Sequence, residues 1–154
     1  MRPIDLMVFH LEEVRRRSIK TWLGVPEGHD HWRPDKEAFS FIEMVRGIWK
    51  RDTQYLQLLR SKGEDIPDES LSEPSLTTIP QEIEFSFAQR LKLLNGVKSL
   101  QPLDLDNQRI TRTTGESQPL SEFLLLIAHH EAVHTGYFMQ YLRMFQADRP
   151  NIWD

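Results

Sequence analysis

Residues 130–134 read His-Glu-Ala-Val-His, two imidazoles four positions apart, the spacing that stacks both rings on one face of a helix. That face is otherwise apolar: Leu120, Phe123, Ile127, Tyr137, Tyr141 and Met144 continue it at alternating steps of three and four. Polar rings on such a stripe need partners, because each buried unsatisfied group costs about 1–3 kcal/mol. Burial also favours the neutral imidazole, the form that ligates a divalent ion. The pair is therefore read as two ligands of a metal site, against the alternative that each ring hydrogen-bonds a carboxylate or carbonyl across the core.

The same five residues match H-E-x-x-H, the zinc-peptidase helix in which the Glu is general base. The flanking sequence argues against it. Tyr137 and Gln140 stand where a metzincin carries Gly and its third His, and no Glu follows His134. The other histidines say less. His29 and His31 lie in a Gly/Pro turn, His129 sits one place off the stripe, and His10 flanks an apolar stripe near the N-terminus.

Four helical segments are needed to position the pair. Ile4, Met7, Leu11, Val14 and Trp22 mark a helix over 3–23, and Phe41, Met44 or Val45, Ile48, Tyr55 and Leu58 or Leu59 mark a second to about Ser61, with Asp35 as N-cap. Thr78 and Gln81 form a capping-box pattern opening a third, with Ile83, Phe87, Leu91 and Leu94 as its stripe. The last begins near Pro119 and reaches about Gln146, its stripe facing the centre. Two connections, 63–78 and 97–118, lack helical period, though Arg109 to Thr114 is β-branched enough for a short extended piece. These features predict a single all-α domain over 1–154, an up-and-down four-helix bundle with two long connections.

Composition bounds the partners. A 154-residue chain that is 39% apolar can close a core without staples, and a formal charge of −4 gives no general attraction to nucleic acid or anionic lipid. Arg15, Arg16 and Arg17 read as a solvated face paired with Glu12 and Glu13. With no cysteine, any thiol chemistry needs a small-molecule thiol. The first 30 residues hold no apolar signal segment, and the longest apolar run, 123–128, is too short to span a bilayer, so a cytoplasmic protein is expected.

The chain resembles the DinB-like, or YfiT-like, family over nearly its whole length. Trp32-Arg33-Pro34 is similar to the family's turn before the second helix, and 40–46 (Ser-Phe-Ile-Glu-Met-Val-Arg) to the approach to its first ligand. His130-Glu131-Ala132-Val133-His134-Thr135-Gly136 with Tyr141-Leu142-Arg143 is similar to its last-helix signature. The resemblance implies a divalent metal (Zn or Ni) held by three histidines and, in some members, thiol S-transferase or isomerase activity on a small-molecule substrate with a low-molecular-weight thiol. Two ligands carry over, His130 and His134. The third does not, since Gly47 occupies its position. Glu43, then Asp52, and His10 from the first helix are the candidates to complete the shell. The contrasting expectation is a non-catalytic binding or homodimeric scaffold.

Overall fold

In the computed structural model, which describes residues 1–64 and 74–154, the chain is mostly helical. Helices α1 (Pro3–Trp22), α2 (Phe41–Ser61), α3 (Ile79–Lys98) and α5 (Leu120–Met144) are long, and α4 (Asp104–Asn107) is a single turn. A two-stranded antiparallel hairpin, β1 (Arg109–Thr111) and β2 (Ser117–Pro119), pairs Ile110 with Gln118. Helix α1 packs on α3 and α5, and α2 packs on the same two, so each long helix has two long neighbours. Among the described residues no helix is long and apolar enough to cross a membrane.

The helix ends follow local chemistry. Thr78 and Gln81 form the expected capping box of α3. At α2 the expected cap moves: Ser40, not Asp35, accepts from the Glu43 N–H, while the Glu43 carboxylate accepts from the Ser40 N–H at 2.7 Å. Asp35 instead closes the preceding turn by accepting from the N–H groups of Glu37 and Ala38. The turn packs Trp32 on Phe41 and Phe145, with centroids 5.3 and 5.1 Å apart.

The connection over 97–118 is ordered by α4 and the hairpin. It is anchored to the end of α2, where the Thr111 N–H donates to the Lys62 carbonyl. Gly63 has φ +119°, and a Cβ there would lie 2.0 Å from the Thr111 carbonyl oxygen, so only glycine fits. The other connection lies partly outside the described residues.

Two apolar clusters form the core. One gathers Leu11, Leu93, Leu120, Phe123 and Ile127. The other gathers Trp22, Phe41, Ile83, Phe138 and Leu142. Two expected stripes are corrected. On α3, Phe87 and Leu91 are each 57% exposed, while Glu82, Ser86 and Arg90 are buried beside Ile83 and Leu94. On α5 the buried line continues through Glu131, Thr135, Phe138 and Leu142, not through His130, His134 and Tyr137. A strict three-four alternation drifts by about 20° per heptad around a straight helix, so the sequence stripe leaves the core in its second half.

Between the clusters lies a buried ion quartet, with one residue from each long helix. Arg15 of α1 donates to Asp52 of α2 at 2.9 Å and to Glu131 of α5 at 2.6 Å. Arg90 of α3 donates to Asp52 at 3.2 Å and also to Glu131. All four are at most 5% exposed. Arg15 therefore does not belong to a solvated face. The pairing expected for that face holds for Glu13, which accepts from both Arg16 and Arg17.

Candidate functional site

The drift of the α5 stripe places His130, His134, Tyr137, Tyr141 and Met144 along one wall of an open cavity of about 500 Å³. Met44, Gly47, Ile48 and Arg51 of α2 form the facing wall, and Phe39 and Glu43 lie at one end. Most of this lining is aromatic or aliphatic, and the volume suits a small organic molecule.

The imidazoles are half-buried and converge. Their Nε2 atoms lie 3.1 Å apart and their ring centroids 4.4 Å apart. Tyr55 of α2 approaches His130 edge-on at 6.4 Å, and Tyr137 approaches His134 at 5.8 Å. Burial, then the Arg51 charge, then His134 push the His130 pKa down to about 4. Burial and Arg51 also lower that of His134. Both rings are thus uncharged at neutral pH, with nitrogen lone pairs available. Zinc–imidazole bonds of about 2.0–2.1 Å at tetrahedral or right angles separate two ligand nitrogens by about 2.9–3.4 Å, which brackets the observed spacing.

The pair fits one edge of a coordination sphere and no more. Among the described residues no group of three His, Cys, Asp or Glu side chains is arranged to hold a metal. Glu43 reaches the cavity, but its carboxylate accepts from the Ser40 N–H and from Arg33 at 3.0 Å, and these contacts hold its pKa down. Asp52 is locked in the ion quartet, away from the cavity. His10 is exposed on α1 and does not line the cavity. His29 packs on Phe145 and His31 meets the Thr77 carbonyl, both outside the site. A Cβ on Gly47 would meet nothing within 4 Å, so this wall presents open space instead of a donor.

Glu131 decides the peptidase reading. Its carboxylate is 3% exposed and engaged by Arg15 and Arg90, which lower its pKa although burial raises it. A base held this way cannot reach a water in the cavity, so H-E-x-x-H here is a coincidence of letters. Its role is positional: Glu131 fixes the rotation of α5, and its neighbour His130 is turned out into the cavity.

Sequence reading missed Arg51 as a cavity residue, and Arg15 and Arg90 as buried ions. A signal existed for the last two. Arg15 lies four after Leu11 and three before Ser18, and Arg90 lies four after Ser86 and four before Leu94, each on the buried face of its helix. Nothing in the residues around Arg51 marks it, because its importance comes from α5 across the cavity.

The DinB superfamily model matches residues 10–138. The crystal structure of YjoA, a DinB-like protein from Bacillus subtilis, is similar over 95% of this chain and 96% of that one, with a TM-score of 0.76 and 18% identity. At that identity the likeness shows the fold alone. No curated protein matches the chain.

Proposed function

The chain belongs to the DinB superfamily, and from that premise we propose that it is an up-and-down four-helix bundle that binds a small molecule beside a divalent ion held by His130 and His134. Zinc or nickel suits two neutral imidazoles. The observation carrying this reading is the pair of Nε2 atoms 3.1 Å apart, uncharged and presented to an organic-sized cavity. The chain's own residues supply the rest. Glu131, clamped by Arg15 and Arg90, orients α5, Tyr55 and Tyr137 brace the rings, and the apolar walls offer contact to an organic ligand. When bound, the ion would stabilise a thiolate or another anionic donor at neutral pH, the chemistry of a thiol S-transferase or isomerase using a low-molecular-weight thiol.

One observation favours a second reading, a binding scaffold without catalysis: Gly47 leaves the α2 side of the pair without a donor. Titration calorimetry with zinc and nickel on protein prepared without metal separates the two. The metal reading expects one ion per chain, lost in both His130→Ala and His134→Ala. Absence of binding, or binding that survives both substitutions, favours the scaffold.

A further inference from the structure

The cavity has a charge as well as a shape. Gly47 and Arg51, one turn apart on α2, line the same cavity as His130 and His134, one turn apart on α5, and the Arg51 charge acts on both rings. None of the ion pairs among the described residues includes Arg51. Arg33, which does not line the cavity, is by contrast paired with Glu43. Arg51 lies near enough to act on the Tyr55 hydroxyl, a neutral group that adds no charge. From Arg51 back to Glu43 the cavity follows two turns of α2, about 12 Å, past Gly47, Ile48 and Met44 toward Tyr141 and Met144.

We propose that the cavity takes an apolar monocarboxylate, its carboxylate on Arg51 beside the histidine pair and its hydrocarbon body along Ile48, Met44, Tyr141 and Met144. This rests on the reading of the cavity as a ligand site and names the class of ligand. The planar guanidinium matches a carboxylate bidentately. A single cation with one hydroxyl neighbour balances one negative charge, whereas a phosphate dianion would be left undercompensated. Arg51 is exposed, so a ligand can reach its guanidinium from solvent, and the largely apolar lining beside it receives the hydrocarbon body. The open space at Gly47 lets the chain pass where a larger residue would obstruct it.

The test is calorimetric titration of the full chain, with chelator present, using octanoate, 1-octanol and octylammonium as probes of equal length. The wild type should bind octanoate at least about tenfold tighter than the other two, the size expected of a charge-assisted hydrogen bond. Arg51→Gln should remove that margin by weakening octanoate far more than octanol, Arg51→Lys should keep part of it, and Gly47→Leu should weaken octanoate and octanol together. Equal affinities for octanoate and octanol in the wild type, a margin that survives Arg51→Gln, or no binding of any probe would overturn the proposal. Zinc titrated separately into chelator-free protein reports on the histidine pair alone. A carboxylate preference without zinc binding supports this inference and refutes the metal reading, and zinc binding without that preference does the reverse.

Discussion

His130 and Glu131 are adjacent in sequence, as are Arg51 and Asp52, and in each case one residue faces the cavity while its neighbour enters the ion quartet. In the quartet two guanidinium groups meet two carboxylates, charge is balanced, and the groups are sealed among four helices. In the cavity the imidazoles have mainly each other, and among the described residues Arg51 has no counter-ion. Polar groups of similar chemistry thus do opposite things. Where opposite charges meet they hold the helices in place, even though Arg15 Nη1 and Arg90 Nε find no hydrogen-bond partner among the described residues, and where the counter-charge is missing the surface remains available to a ligand.

Breaking the quartet should produce the largest effect. Glu131→Ala leaves two buried guanidinium groups short of a partner and should cost about 3–5 kcal/mol in chemical denaturation. Replacing all four members by apolar residues of similar volume (Arg15→Met, Asp52→Leu, Arg90→Met, Glu131→Leu) should cost less than Glu131→Ala alone. If Glu131→Ala cost under about 1 kcal/mol, within the ordinary range of surface changes, the quartet would not be the clamp described.

Acid should act on the cavity side. The folded state holds the His130 pKa at about 4 against an ordinary 6.5, so between these values the unfolded chain binds a proton that the folded chain refuses. Stability therefore falls as pH drops from about 6.5 toward 4. Comparing melting temperatures at pH 7 and pH 5, His130→Gln should show a smaller decrease than the wild type. An equal decrease would mean that His130 titrates normally in the fold.

At neutral pH the cavity side should be tolerant. His130→Ala should change stability by less than about 1 kcal/mol, in contrast to its neighbour Glu131. The smallest effect belongs to Gly47→Ala, which should stabilise by up to about 1 kcal/mol, because a helix-interior glycine is replaced where a Cβ has room. A loss of stability there would show that the wall of α2 is already in contact with something.

The contrast also marks how much the sequence discloses. Helix positions were legible because caps and apolar steps are local: Pro3 starts α1, and the Thr78–Gln81 box starts α3. The facing of α5 was legible only in its first half, where Leu120, Phe123 and Ile127 are buried as their spacing requires. Beyond them a seven-residue rhythm and a 3.6-residue turn part company, and the histidines move from core to cavity wall. The quartet escaped reading because each member was read within its own helix: Arg15 as part of a solvated face, Asp52 as a candidate ligand and Glu131 as a candidate base. Arg15 and Glu131 are 116 positions apart, and only packing shows that each neutralises the other.

The claim on which the account turns is that the histidine pair faces an open place at position 47. Zinc titration of Gly47→His against Gly47→Ala and the wild type tests it most directly, since the Ala variant shares the helix gain but adds no donor. The account predicts that the His variant binds zinc more tightly than both, completing a three-histidine site with an open position, and that it alone gains thermal stability specifically from the ion. Equal zinc affinity in all three proteins would contradict it, showing that residue 47 does not meet His130 and His134 across the cavity.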